Sequence, residues 1–386
     1  MVKLTVCTYN LMLPVRPPLR FNGQGERCRL LPVNLGKLSG QNGGIDVFVF
    51  QELIPAKYQN YIISAMEGMG WVYSTRSLTS RFKPVSGGIF IVSKYPLSGE
   101  VPHIFNNSSH LDQFVNKGII YAKCHVAPGF SVHLFALHLQ AWDTPECRNV
   151  RIQQLGELDL FIKQQDISKA EPVVVAGDFN IDYYTQRSEI DYIAREIGLS
   201  IDVVSAIHQS PFPFSIDPRN NKLVGNDSGS MYKTDSYPEG CYADYLNNMR
   251  CPCCPCELLD FVLYSKSHLA PAYAAMEIVP LKTARPFRMN VNVSTERKIS
   301  DLSDHYPVIT SFRWDAYDTG GMEIQYRPVG AERRVNRLRL LVIAVFVILG
   351  ILLLKSAVTR NSTMVLNRTD VPYSSQFESA QIISGP

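Results

Sequence analysis

No internal repeat and no long low-complexity tract interrupts the sequence, so it reads as an ordinary globular chain. It also lacks a charge excess: 38 Lys and Arg against 35 Asp and Glu leave +3, too little for a dedicated nucleic-acid binder with clustered basic residues. The first ten residues, MVKLTVCTYN, have neither the basic start nor the long apolar stretch of a secretory signal and read instead as a first strand. On that expectation the nine cysteines are reduced thiols rather than a disulfide framework. What is present is material for a core: 386 residues, 46% of them hydrophobic, enough for one large domain or two ordinary ones.

Short apolar runs at 47–50, 88–92, 119–122, 132–137, 173–176, 258–263 and 308–312 read as strands. Helical spacing occupies 57–69 and 150–164, and the mixture predicts a layered α/β sandwich. Residues 206–257 are rich in Pro, Asn, Asp, Ser and Tyr with little periodicity, a long excursion of the kind that serves binding. Its aromatics, Phe212, Phe214, Tyr232, Tyr237, Tyr242 and Tyr245, are expected to dip into a membrane interface. Within it Cys251-Pro-Cys-Cys-Pro-Cys256 reads first as a Pro-stiffened loop, second as an acylation site and third as a zinc site.

After a domain ending near 315 comes a basic linker, 316–337, and then fifteen uncharged apolar residues, 340–354, between Arg339 and Lys355. If those two cations snorkel, 338–358 spans about 31 Å as a helix, enough to cross a bilayer. A buried core helix is the alternative; basic flanks and an apolar character on every face favour a single span. The expectation is a single-pass membrane protein with a cytosolic catalytic domain and a short tail, 359–386.

Several strands end on a polar residue. The stretch PVVVAGDFN, residues 172–180, presents Asp178 and Asn180 two apart, hence on one face, where a carboxylate beside an amide suits a hard cation or its phosphate; an Asp-rich turn is the plainer reading. The strand at 5–10 ends in Asn10, that at 47–52 in Glu52 and that at 134–138 in His138, while Ser303-Asp304-His305 precedes the last strand. Five such ends in one chain argue against accident.

The order Asn, Glu, His, Asp-x-Asn, Asp-His resembles the endonuclease/exonuclease/phosphatase superfamily, with GDFN at 177–180 and SDH at 303–305 as its most specific motifs. Within it, His138-Leu-Gln-Ala-Trp-Asp143 followed by Arg148, Arg151 and Gln154 is similar to neutral sphingomyelinases, as are the segments at 86–97 and 114–120. Asp112 and Lys117 are spaced like the pair in the activation loop of the mammalian membrane enzymes. The resemblance implies a DNase I-like, four-layer α/β/β/α sandwich of two packed sheets over residues 1–315, with one Mg²⁺-dependent phosphodiester site at the strand ends and Mn²⁺ able to substitute.

It also implies roles. Glu52 is the main metal ligand, with Asn10 beside it and Asp304 as a ligand or a support behind one. His305 is the general base and Asp260 orients its other nitrogen. His138 and Asn180 donate to the phosphate oxygens, Asp178 orients the water or a second metal, and Lys117 adds positive charge. The implied reaction is hydrolysis of sphingomyelin to ceramide and phosphocholine at a bilayer, with anionic lipids as activators and no nucleic-acid partner. Another phospholipid or a phosphoinositide is the alternative substrate. A nuclease is disfavoured by the small net charge, and a non-catalytic membrane adaptor by the retention of Glu52, Asp178 and His305.

Overall fold

The computed structural model describes residues 1–13, 23–79, 83, 85–205, 207, 212–224, 256–290 and 296–315. In chain order these form β1 (Val2–Leu13), α1 (Gln24–Gln41), β2 (Val47–Leu53), α2 (Ala56–Glu67), β3 (Tyr73–Ser74), β4 (Val85–Ser86), β5 (Phe90–Ser93) and β6 (Leu97–Ile104). A 3₁₀ turn (His110–Phe114) leads to β7 (Val115–Asn116), β8 (Gly118–Ala127), β9 (Phe130–His138), α3 (Pro145–Gln164), β10 (Val173–Asp178), α4 (Arg187–Arg195) and α5 (Asp202–Ser205). The remaining strands are β11 (Asp260–Tyr264), β12 (Tyr273–Ile278), β13 (Lys282–Asn290), β14 (Glu296–Asp301) and β15 (Val308–Trp314).

Two sheets carry the fold, one in the order β12-β15-β1-β2-β5-β3 and the other β11-β10-β9-β8-β6. Alternation along each strand explains how they stack. Leu4 and Val6 of β1 and Val47 and Val49 of β2 meet Ile120, Leu134, Ala136, Val174, Ala176 and Val262 of the other sheet in one cluster. The opposite faces of the same strands, Cys7, Tyr9, Phe48 and Phe50, pack under Leu31 and Leu35 of α1 and Ile62 and Met66 of α2. Phe135, Leu137, Val173 and Val175 lie under Leu155, Leu158 and Phe161 of α3 and Ile190 and Ile193 of α4. The order is thus helix, sheet, sheet, helix. Strands buried on both faces need continuous apolar runs rather than alternation, which is why 47–50 and 173–176 read so cleanly.

The helix at 150–164 starts five residues earlier than its spacing suggests, because Thr144 caps it, its Oγ1 accepting from Cys147 N at 3.2 Å, with Pro145 in the first turn. The sequence reading misses α1 altogether. Pro32 and three glycines, Gly25, Gly36 and Gly40, lower its helix propensity, and packing on β1 and β2 overrides that deficit.

Two expectations need correction. The single-pass membrane placement with a cytosolic catalytic domain is not supported: among the described residues no helix is long and apolar enough to cross a membrane. The long helices carry charge along their length, Glu26, Arg27, Arg29 and Lys37 in α1 and Glu146, Arg148, Arg151 and Glu157 in α3. The stretches 316–337, 338–358 and 359–386 lie outside the described residues, as do Cys251, Cys253, Cys254 and Tyr232, Tyr237, Tyr242 and Tyr245 of the excursion. Phe214, expected at an interface, is instead buried, its ring against Tyr184. Among the described cysteines, Cys7, Cys28, Cys124, Cys147 and Cys256 are free and buried.

One glycine is required by the close approach of β9 and β10. A Cβ on Gly177 would stand 2.0 Å from the backbone oxygen of Leu137. Gly177→Ala is expected to cost about 3 kcal/mol or more, measured by denaturant unfolding, because neither backbone can retreat without breaking the ladder.

Candidate active site

Strand register assembles the centre of the site. In the second sheet Asp178 of β10 stands opposite His138 of β9 on one side and opposite Asp260 of β11 on the other. All three continue the face that Ala136, Ala176 and Val262 turn toward the other sheet, so they project from the mouth of the inter-sheet core. In the first sheet Asn10 follows Leu4 and Val6 on the matching face of β1. Glu52 has the parity of Phe48 and Phe50, which point outward, but its φ of 56° breaks the alternation at the strand end and brings its carboxylate to Asn10. Gly88, itself at φ 63°, lies against Glu52 and Leu53, where a Cβ would stand 2.6 Å from Leu53 N.

The hydrogen bonds close this set. His305 Nδ1 donates to Asp260 Oδ2 at 2.7 Å. Asn10 Nδ2 donates to both Asp178 Oδ2 at 2.9 Å and Glu52 Oε1 at 3.1 Å. Nε2 of His138 lies 3.4 Å and Nε2 of His305 3.9 Å from Asp178 Oδ2. Asn180, in the left-handed region at φ 51°, donates its N–H to Asp178 Oδ1 and its Nδ2 to Leu139 O at 3.0 Å. The single hydroxyl proton of Ser303 is shared between Asn10 O at 2.7 Å and Asp304 Oδ1 at 3.2 Å, the shorter contact being to Asn10 O.

Burial sets the electrostatics. It pushes the Asp178 carboxyl up, and the Asp260 charge pushes it further. Burial and the neighbouring Asp304 likewise raise Glu52. Burial by itself would push the His305 imidazole down, but the ion pair and hydrogen bond with Asp260, with Asp178 and Asp304 behind them, hold it well above the usual histidine range. His138 goes the other way: burial, then the Lys117 and His305 charges, keep it neutral, and its Nδ1 is buried without a hydrogen-bond partner.

Two residues sit differently from the roles the sequence suggests. Lys117 Nζ is engaged with Asp112 Oδ2 at 2.8 Å and Leu139 O at 2.9 Å, and the residue is buried, so it holds the backbone beside His138 while its charge still reaches His138, Glu52 and Asp178. Asn10 Oδ1 accepts from Met12 N at 3.0 Å, which leaves the amide nitrogen aimed at the carboxylates.

The sequence reading misses Arg27. Fully buried on α1, its guanidinium donates to Leu11 O, Met12 O and Leu302 O. It thereby ties the end of β1, which carries Asn10, to the loop that carries Asp304 and His305. An Arg next to Glu26 and Arg29 in sequence looks like part of a solvated face, and no local pattern distinguishes it. Asn221 Nδ2 is a second such tie, to Ser303 O at 2.8 Å and Asp304 O at 3.0 Å.

Asp178, Asp260 and His305 offer donor atoms within 4.8 Å of one another, a grouping able to hold a metal ion. A buried acid–base cluster with an oriented imidazole is the equipment of a hydrolytic site. The chain belongs to the Endonuclease/Exonuclease/phosphatase family, whose model matches residues 8–305. It is 28% identical over 273 residues to a phospholipase C of Staphylococcus aureus, covering 69% of this chain and 72% of that protein. It is 26% identical over 266 residues to a sphingomyelinase C of Bacillus cereus, covering 65% and 68%. The solved sphingomyelinase C of Streptomyces griseocarneus superposes with a TM-score of 0.63 at 25% identity, covering 81% of this chain and all of that one. These relatives are phosphodiester hydrolases by name, and the chain is an enzyme of their family.

Arg27→Met would leave three buried carbonyls without their donor. It is expected to cost about 3 kcal/mol in urea unfolding, well above the effect of a surface Arg.

Proposed function

We propose that the chain hydrolyses sphingomyelin to ceramide and phosphocholine at a lipid surface, using His305 to activate the attacking water. The observation that carries the reading is the Asp260–His305 pair at 2.7 Å, facing Asp178 across the sheet interface, in a chain similar to sphingomyelinases.

Asp260 fixes the imidazole through Nδ1. Because His305 is held well above the usual histidine range, only the form deprotonated at Nε2, whose share grows with pH, accepts the proton of the water that attacks phosphorus, while the departing ceramide oxygen takes a proton from solvent. The same carboxylate stabilises the imidazolium that forms. Asp178, 3.9 Å from that Nε2, orients the water by accepting its second hydrogen. A neutral His138 and the Asn180 amide donate to the non-bridging oxygens as charge grows on them, and Lys117 keeps Leu139 in place between those two residues.

The site also fits a hard divalent cation. Its free donors are carboxylate oxygens, and Glu52 is close enough to Asp304 for that charge to raise it further, a repulsion that a divalent cation would relieve. Glu52 and Asp304 would hold the ion, with Asn10 orienting Glu52. When bound, Mg²⁺, or Mn²⁺ in its place, supplies positive charge to the phosphate. The Asp178, Asp260 and His305 grouping is the less suitable cradle, because the hydrogen bond to Asp260 already occupies His305 Nδ1.

The test is phosphocholine release from sphingomyelin in detergent micelles. We expect release that requires Mg²⁺, stops with EDTA and falls about 10³-fold or more in His305→Ala. Release from phosphatidylcholine or a phosphoinositide alone would reassign the substrate. Equal release by His305→Ala would remove the base from the mechanism.

A further inference from the structure

The rim beside the candidate site exposes large apolar side chains that the chemistry above does not use. Leu111 and Phe114 are three apart on the 3₁₀ turn, hence side by side, and are 68% and 51% exposed. Trp142 is 46% exposed on the segment that follows His138, and its backbone sits at φ 67°, a sparsely populated region for a bulky residue. Burial does not stabilise it there. A buried guanidinium does: Arg151 donates to Trp142 O while pairing with both oxygens of Glu189 at 2.8 and 3.1 Å. Further hydrogen bonds lock the two segments together, Ala141 N to Asp112 Oδ2 at 2.8 Å and Ser109 N to Gln140 Oε1 at 2.8 Å, and the His110 and Trp142 rings meet edge to face. The fold therefore spends buried polar bonds to hold an indole outward.

Charge decides what such a rim suits. Asp112 is paired with Lys117 at 2.8 Å, Asp143 with Arg148 at 2.6 Å, and Glu146 accepts from Ser109 Oγ. The Asp112 and Asp143 charges are matched, and the exposed carboxylate that remains, Glu146, lies 4.0 Å from His110 Nε2, so the surface does not ask for an anion. The rim is continuous with the site, since Lys117 and Asn180 both donate to Leu139 O.

We propose that Leu111, Phe114 and Trp142 form an insertion rim that enters the interface of a zwitterionic lipid layer and seats the site over its headgroups. The proposal rests on the sphingomyelin reading for its choice of lipid, and on the exposed rim for its geometry.

The experiment uses the full chain and sedimented vesicles of equimolar sphingomyelin and phosphatidylcholine without anionic lipid, with EDTA present so that binding is read apart from turnover. The paired change Leu111→Ser and Phe114→Ser is expected to weaken vesicle binding about tenfold or more. Val33→Ser, an equally exposed apolar position on α1 in the opposite outer layer, is expected to leave it unchanged. A second readout needs no variant. The chain has three tryptophans, and Trp71 and Trp314 are already buried, so a blue shift of emission on adding vesicles reports Trp142 entering the lipid. No shift, equal binding by the paired variant, or binding only to anionic vesicles would overturn the proposal. So would a dimer in sedimentation velocity that the paired variant dissolves, since a second copy would then cover the rim. Failure to release phosphocholine, with binding and shift intact, would count against the sphingomyelin assignment and leave the rim standing.

Discussion

Two hydrogen bonds cross between the sheets at their strand ends, His305 Nδ1 to Asp260 Oδ2 at 2.7 Å and Asn10 Nδ2 to Asp178 Oδ2 at 2.9 Å. The first joins His305, in the loop before β15, to Asp260 at the start of β11, and the second joins Asn10, within the last part of β1, to Asp178 at the end of β10. The apolar layer between the sheets therefore acts as the gauge of the site: the packing of Val6, Val49, Ala136, Ala176 and Val262 fixes how far apart the two halves stand. A shift of one residue in the β9, β10, β11 register would turn His138, Asp178 and Asp260 to the other face together. Close packing of this kind is hard to deform, which suits a site whose charged groups must meet within tenths of an ångström.

The same burial makes the cluster costly alone. Three carboxylates, Glu52, Asp178 and Asp260, are held near one imidazole where water cannot solvate them well, and the fold offsets this with hydrogen bonds rather than with free cations. Ser303, Asn221 and Arg27 perform that work around the His305 loop, and Lys117, Asp112 and Gln140 around the segment after His138. These supports belong to the surrounding layers, so the site depends on helices and loops that carry no catalytic group.

Much of this was legible in the sequence, for physical reasons that also mark where legibility stops. Strands buried on both faces announce themselves as apolar runs, and a polar group ending such a run, as in GDFN and SDH, has few places to go except a site. Glu52 could be picked out as a residue type, while the left-handed turn that aims it is invisible without coordinates. Arg27 could not be read, and Arg151, noticed only as part of a resemblance, could not be given its contacts, because a buried guanidinium and a solvated one look alike until the carbonyls around them are known. Helix α1 was hidden by Pro32 and its glycines. The aromatic excursion is mixed: Phe214 packs inward, Phe212 is exposed, and its tyrosines lie outside the described residues, while Phe114 and Trp142, exposed on the turn and segment next to His138, carried no such signal. The membrane placement leaned on an apolar run with basic flanks that lies outside the described residues, and no described helix supports it.

The claim on which the account turns is that the half-buried carboxylates at the sheet interface form a cation site built around Glu52. Calorimetric titration of Mg²⁺ into the full chain and into Glu52→Gln tests it most directly. The account predicts one ion bound per chain with a rise in thermal stability, both lost in Glu52→Gln. No binding to the unaltered chain, or equal binding and stabilisation in the variant, would contradict it.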